Sequence, residues 1–343
     1  MKDESVTIAK GIGIILMVIG HSGLDGYPTR LIYMFHMPLF FFLSGFCFKK
    51  SYIFAPRKFI MRRIKSIYVP FVKYSLLFLV LHNVFVIFYI YDNMLSLKET
   101  LVKIAHIVLS LWSGEPLLGG FWFLKSLFWG SILFYIVQYI TKFKQKYIYN
   151  GVWGVILLCL GILCNCFKFK IPVIGINDTD IIASLFMLIG SAFKNRSVEF
   201  SKKLIIASVV LLFIGAFFWY QQMIYLKYKI MVPYVITGVI GSFITLIFSR
   251  KIQKLGGYFS KTLVFIGNNS LHILIWHFLS FKFVTFFIVI LFNLSITSMT
   301  TFPVLNEYAS QGWWLLYVIV GIAFPLVLVN IKSLIFKKHF YEV

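Results

Sequence analysis

Long apolar runs separated by short basic clusters constrain the fold of this chain more than any other feature of its sequence. Of its 343 residues, 60% are hydrophobic and 13% are charged, whereas soluble domains carry about 25% charged residues. A membrane-spanning helix needs about 20 mostly apolar residues. Division of the chain at its charge clusters gives segments of roughly that length near 6–22, 31–48, 67–91, 119–141, 150–166, 178–193, 204–221, 231–249, 269–292 and 312–331. The sequence predicts an all-α integral membrane protein with about ten transmembrane helices, in which 1–343 form one transmembrane domain without a separate soluble domain.

The positions of Lys and Arg predict how these helices are oriented. If the N-terminus is cytoplasmic, the inner loops hold 23 of the 33 Lys and Arg residues and the outer loops hold 7. This is a strong positive-inside bias, so both termini are expected in the cytoplasm of a multi-pass protein of the plasma (inner) membrane. The inner loops are then 1–10, 49–65, 142–146, 194–203, 250–261 and 332–343. The short segment Leu101–Trp112 is expected to be an interfacial helix.

The net charge of +22 does not indicate a nucleic-acid partner. Nucleic-acid binders gather basic residues into one stripe or domain, whereas here they are spread in small clusters. Metal binding is also not expected, because no HxxxH or HExxH pair occurs and no carboxylate is predicted inside a span to complete a zinc shell. Membrane lipid is the expected surrounding, and a homodimer is left open.

The first predicted span carries two ionisable residues on one face. Lys10 and His21 are eleven residues apart, which is three helical turns plus about 20°, or about 16 Å along the axis. Gly11 and Gly13 leave the helix with little bulk, so another helix or a thin ligand can approach it closely. The alternative interpretation is that Lys10 extends to the interface and His21 ends the helix.

Two further histidines in predicted spans, His36 and His277, are candidate site residues. His36 follows a turn rich in Gly and Pro and returns to the membrane at the depth where His21 leaves it, so the two imidazoles can converge. In the ninth span His277 lies deeper than His272, and the two do not share a helical face. Ionisable groups in lipid are costly and mark functional sites, although a packing role remains the alternative for His36.

These residues lie in motifs that resemble those of membrane acyltransferase family 3, which includes bacterial O-acetyltransferases of cell-surface polysaccharides and fucose O-acetylase-like proteins. Lys10, ten residues and His21 are similar to the family's first motif. FHMPLFFFLSG at 35–45, NNSLHILIWH ending at His277 and WFLKSLF at 122–128 are similar to three others. The family commonly has two arginines spaced by two residues, whereas here Arg62 is followed by Arg63 and Lys65. A lysine is a point charge and cannot hold a phosphate bidentately.

The resemblance implies an O-acyltransferase, of the class that transfers acyl groups other than aminoacyl groups. Acyl-coenzyme A, most often acetyl-coenzyme A, would be the donor, and a hydroxyl of a cell-surface or lipid-linked carbohydrate the acceptor. The anionic nucleotide of the donor would bind near Arg62, Arg63 and Lys65, and its thin arm would run from Lys10 beside Gly11 and Gly13.

In this interpretation His21 is the general base. His36 would orient the acceptor or stabilise the oxyanion, and His277 would support His21 or act as an alternative base. A glycan carrier without acyl transfer is the alternative function, in which the same Lys and His residues line a pathway. Inverted repeats would favour the carrier, and the two halves of the sequence show no convincing repeat.

Overall fold

The computed structural model describes residues 3–141, 147–194 and 201–339, and within these ranges the chain forms helices and no strand. The predicted all-α class is therefore confirmed. The α-helices in chain order are α1 Ser5–His21, α2 Tyr27–Tyr33, α3 His36–Phe46, α4 Pro56–Arg63, α5 Val69–Val80, α6 His82–Ile87, α7 Leu97–Ser110, α8 Trp122–Ile140, α9 Tyr147–Cys166, α10 Asp178–Phe193, α11 Lys202–Phe218, α12 Met231–Leu255, α13 Gly257–Asn268, α14 Ser270–Leu291, α15 Asn306–Tyr308 and α16 Trp314–His339.

Five stretches of the described residues are long and apolar enough to cross a membrane. They are Pro116–Ile140, Tyr149–Cys166, Tyr228–Leu255, Ser270–Leu291 and Asn306–Ile331. Each overlaps one of the predicted spans, and the chain is a multi-pass membrane protein. The count of ten spans and the cytoplasmic termini remain predictions. The predicted inner connection 142–146, residues 195–200 of the connection 194–203, and residues 340–343 lie outside the described residues.

The second predicted span, 31–48, is broken into two helices. Helix α2 ends before Met34, Phe35 has a non-helical backbone (φ −143°, ψ −18°), and α3 begins at His36. Pro38 lacks a backbone N–H and cannot sit inside a continuous helix without loss of a hydrogen bond, but it is tolerated in the first turn. The break therefore puts His36 at the start of a new helix.

Close backbone contacts hold α3 against α10. A Cβ atom on Gly45 would lie 1.8 Å from the carbonyl oxygen of Met187, and one on Gly190 would lie 2.0 Å from that of Phe42. Only glycine fits at either position. Small residues let helix backbones approach closely in membranes, where packing drives helix association, so α3 is fixed by its neighbour.

Helix α7 lies on the protein surface, as expected for an interfacial helix. Ser96 and Glu99 form a capping box at its N-terminus, which satisfies two backbone N–H groups. Leu97, Leu101 and Leu109 are exposed, whereas Ile107 is buried against the protein. This pattern fits a helix that contacts the body of the protein on one side and lipid on another, and its depth in the membrane remains a prediction.

Candidate active site

His21 and His277 form a hydrogen-bonded pair. His21 is the last residue of α1, and His277 lies two turns into α14 and is fully buried. The Nε2 atom of His277 lies 3.3 Å from Nδ1 of His21. The two rings are nearly parallel, with an angle of 20° and 5.4 Å between their centroids. The fold thus joins two histidines that are 256 residues apart in the sequence.

When both rings are neutral, the hydrogen bonds of His277 determine which nitrogen of each ring carries the proton. Its Nδ1 lies 3.1 Å from the carbonyl oxygen of Ile273 and 3.0 Å from that of Leu274. Carbonyl oxygens only accept hydrogen bonds, so Nδ1 of His277 carries the proton and its Nε2 is an acceptor. His21 therefore donates through Nδ1–H to His277, and Nε2 of His21 is unprotonated. A neutral imidazole in this tautomer can act as a base through Nε2.

His36 lies near this pair, with Tyr33 in contact with both. The Nδ1–H of His36 donates to the carbonyl oxygen of Ile32 at 2.9 Å, which leaves Nε2 of His36 as an acceptor as well. The ring of Tyr33 is 5.2 Å from that of His36 and 6.4 Å from that of His21. Its hydroxyl donates to the carbonyl oxygen of Gly20 at 2.8 Å. Tyr33 thereby ties the start of the second predicted span to α1.

The imidazoles of His21 and His36 line a small cavity of about 50 Å³, here called the histidine cavity. A water molecule occupies about 10–15 Å³ by this measure, so the space holds a few non-hydrogen atoms. Its wall includes Met17, His21, Tyr33, His36, Met37, Trp122, Gln222 and Leu274.

A larger cavity of about 340 Å³, here called the basic cavity, lies next to it. Lys10, Lys49, Arg62 and Arg63 line this cavity, and none of the described lining residues is acidic. Its volume is within the range of 300–1,000 Å³ typical of ligand sites. The basic cavity therefore has a size and a charge that suit an anionic ligand.

Two of its arginines are oriented by neighbouring side chains. Arg62 donates to the hydroxyl of Tyr52 at 2.6 Å. Arg63 donates to Ser44 at 3.1 Å and lies over the ring of Phe59 at 5.1 Å. The Nε atom of Arg63 is buried without a hydrogen-bond partner among the described residues. Burial, and then the charge of Arg62, lower the pKa of Arg63 to about 10, so the guanidinium is charged at neutral pH and would be stabilised by a bound anion.

The two cavities share part of their wall. Met17, Met37 and Leu274 line both of them. Methionine side chains are unbranched and adapt their shape easily. A slender ligand in the basic cavity can therefore reach the imidazoles by displacing flexible side chains rather than backbone.

A comparison with known protein families identifies the family of this chain. The family described as an acyltransferase domain, acyltransferase family 3, matches residues 3–330. The chain belongs to this acyltransferase family. The resemblance predicted from the sequence motifs is thus confirmed over nearly the whole chain. No curated protein and no solved structure matches this acyltransferase.

Not every predicted binding residue of the acyltransferase lies at the cavities. The described lining residues include Lys10, Arg62 and Arg63 but not Gly11, Gly13 or Lys65. A Cβ atom on Gly11 would lie 2.4 Å from the carbonyl oxygen of Leu263 in α13, and one on Gly13 would lie 3.0 Å from Leu39 in α3. The close approach that the sequence allows at these glycines is therefore to neighbouring helices.

The predicted span 178–193 contains a carboxylate, contrary to the expectation that no carboxylate lies inside a span. Asp180, in the first turn of α10, is fully buried and lies 3.0 Å from the ammonium group of Lys125. Ser126 donates to the same carboxylate at 2.7 Å. The pair joins α8 to α10 and neutralises Lys125.

Within the described residues, no group of three or more His, Cys, Asp and Glu could hold a metal ion.

Two anchored segments pack beside the histidine pair. The first, Pro116–Phe121, follows Glu115, whose buried carboxylate lies 2.8 Å from both His82 and Lys103. A Cβ atom on Gly120 of this segment would lie 3.9 Å from His277. The sequence gives no sign of the pairing, because its members are up to 33 residues apart.

The second segment is 296–303, which a buried lysine anchors. The ammonium group of Lys282 donates to the carbonyl oxygens of Met299 at 2.7 Å and Thr301 at 2.8 Å. The ring of Phe302 then packs 4.8 Å from that of Phe278, which lies 4.0 Å from His277. Phe278 also lies 4.9 Å from His21, so an apolar ring packs against both imidazoles of the pair.

Proposed function

We propose that this acyltransferase moves a short acyl group, acetyl in the first instance, from acyl-coenzyme A to a hydroxyl of a carbohydrate. One observation carries the proposal: a basic cavity of ligand size shares part of its wall with a small cavity that His21 lines. The first cavity would hold the anionic donor and the second would contain the reacting atoms.

The basic cavity supports the nature of the donor. Coenzyme A has phosphate groups at one end and a thin, largely neutral arm that ends in the thioester. Lys10, Arg62 and Arg63 line the cavity without an acidic neighbour among the described lining residues, and charge-assisted bonds to phosphate are the strong ones. The arm would pass between Met17 and Met37. The three non-hydrogen atoms of an acetyl group fit the histidine cavity, whereas a long acyl chain does not.

The proton positions support a role for each histidine. As the acceptor hydroxyl attacks the thioester carbonyl, Nε2 of His21 would take its proton. The tetrahedral intermediate would then collapse, the carbon–sulfur bond would break, and His21 would return the proton to the leaving thiolate. His277 would act as a positioning residue that holds the proton on Nδ1 of His21. Since Nε2 of His36 is an acceptor, it suits holding a hydroxyl and not donating to an oxyanion.

The basic loops support the sidedness of the reaction. In the proposed topology of ten spans, with both termini in the cytoplasm and the chain in the plasma membrane, the basic cavity is next to the inner connection 49–65. Cytoplasmic acyl-coenzyme A would enter there. The acceptor, a cell-surface or lipid-linked glycan, would reach the histidine cavity from the opposite side.

Acyl transfer by purified protein tests the proposal. The protein in lipid vesicles is given radiolabelled acetyl-coenzyme A and an envelope glycan extract, and base-labile ester in the glycan is measured. We expect ester with the unchanged protein and a loss of about 10²–10⁴-fold with His21→Gln. Glycan movement across the vesicle membrane without ester would contradict the proposal and favour the carrier.

A further inference from the structure

The segment Trp219–Ile230, between α11 and α12, forms part of the histidine cavity although no sequence motif falls on it. Gln222, Met223 and Ile224 all line the cavity. Gln222 is the one amide among the described lining residues. A polar group that lines a site beside the reacting atoms is a candidate for binding a substrate.

Side-chain hydrogen bonds hold this segment in place. The side-chain oxygen of Gln221 accepts from the backbone N–H of Lys227 at 2.7 Å. Asn165 of α9 donates to the carbonyl oxygen of Leu226 at 2.8 Å and accepts from the N–H of Tyr228 at 2.8 Å. The segment is therefore a built part of the site and can position Gln222.

The amide nitrogen of Gln222 forms a hydrogen bond within the protein, whereas its amide oxygen does not among the described residues. Its Nε2 donates to the hydroxyl of Tyr220 at 2.7 Å. The ring of Tyr220 in turn packs 6.5 Å from that of Tyr33, which lies between His21 and His36. Within the ranges that the structure describes, Oε1 of Gln222 accepts no hydrogen bond. Tyr220 thus orients an amide whose free oxygen is an acceptor for a hydroxyl.

We propose that Gln222 binds the acceptor substrate, with Oε1 accepting a hydrogen bond from a sugar hydroxyl next to the one that His21 deprotonates. This inference rests on the proposed acyl transfer. The hydroxyl of Tyr33 already donates its proton to the carbonyl oxygen of Gly20, so it has no proton left to donate to the substrate. His36 can accept from a further hydroxyl of the sugar, and Trp122, half-buried in the same wall, offers an apolar face. An apolar surface with a few placed polar groups is the usual composition of a small-ligand site.

Two substitutions of nearly equal size separate hydrogen bonding from shape. Gln222→Leu removes the acceptor oxygen, whereas Gln222→Glu keeps one at the same reach. Initial rates are measured in vesicles with radiolabelled acetyl-coenzyme A and the envelope glycan extract, while each substrate is varied in turn. Loss of one hydrogen bond predicts that Gln222→Leu raises the KM for the glycan about three- to tenfold. The KM for acetyl-coenzyme A should be unchanged, and Gln222→Glu should stay within about twofold of the unchanged protein.

Gln138→Leu is the matched control, because Gln138 bonds Ser191 at 3.3 Å and does not line the described wall of either cavity. Should Gln222→Leu fail to purify, Tyr220→Phe removes only the hydroxyl that orients the amide, and a rise in the glycan KM of about twofold or more is expected. An unchanged glycan KM, or an equal rise for the donor, would overturn the role of Gln222 and leave acyl transfer standing. Absence of ester with the unchanged protein would overturn both.

Discussion

Replacement of His277 tests which histidine is the base. If His277 only holds the proton on Nδ1 of His21, His277→Gln should be mild, because the glutamine amide oxygen can accept a hydrogen bond at the position of Nε2. His277→Leu removes the acceptor while it fills a similar volume. His21→Gln removes the base itself. The expected order of damage is therefore His21→Gln, then His277→Leu, then His277→Gln.

The structure sets the size of each effect. A single hydrogen bond between neutral groups, such as the one of 3.3 Å between His21 and His277, contributes about 0.5–1.5 kcal/mol. This corresponds to a loss in kcat of about two- to twelvefold for His277→Leu. Loss of a general base lowers kcat by about 10²–10⁴-fold, so His21→Gln should be at least about ten times worse.

The assay is ester formation at saturating concentrations of both substrates, with the thermal unfolding midpoint of each variant measured in the same detergent. The unfolding midpoint shows whether a loss of rate comes from loss of folded protein. If folded His277→Leu loses as much activity as His21→Gln, the base is His277 and the proton assignment is wrong.

Three further sets of variants test the cavities and the packing around them. Arg63→Gln should raise the KM for acetyl-coenzyme A by about 10–100-fold, the value of a charge-assisted hydrogen bond, whereas Lys65→Gln should change it less than about threefold; equal effects would contradict the proposed donor site. Met37→Ala should widen the junction between the basic cavity and the histidine cavity and raise the rate with butyryl-coenzyme A relative to acetyl-coenzyme A. An unchanged ratio of the two rates would show that the junction does not limit acyl length. Asp180→Asn leaves the partly buried Lys125 without its counter-charge and should lower the free energy of unfolding by about 3 kcal/mol, read as a lower unfolding midpoint. A second change, Lys125→Met, should restore most of that stability, and no restoration would argue against the ion pair.

The sequence predicted the residues that are costly in lipid but not how they meet. His21, His36 and His277 stand out because ionisable side chains are rare in apolar segments. The convergence of His21 and His36 was expected from the short turn that joins their spans. The contact of His21 with His277 could not be predicted, because hydrophobic periodicity gives the face of each helix and does not tell which distant helices are neighbours. The tautomer of His277 depends on carbonyl groups in its own helix, and its consequence for His21 appears only once α1 and α14 are placed together.

Other residues of the site give little or no signal in the sequence. Met17 and Met37 look like any apolar residue of a span, yet they form the junction of the two cavities. Gly11 and Gly13 indicate a close approach without saying whether a helix or a ligand makes it. Gln222 lies in a connection where polar residues are ordinary, so only its position beside the imidazoles distinguishes it.

Ester formation across a sealed membrane tests whether donor and acceptor reach the site from opposite sides. Inside-out vesicles are loaded with the envelope glycan, and radiolabelled acetyl-coenzyme A is added outside, on the side that corresponds to the cytoplasm. If the basic cavity admits the donor from one side and the histidine cavity meets the acceptor from the other, base-labile ester forms on the glycan inside the vesicles. Ester that appears only when both substrates share the outer solution would contradict the proposed route.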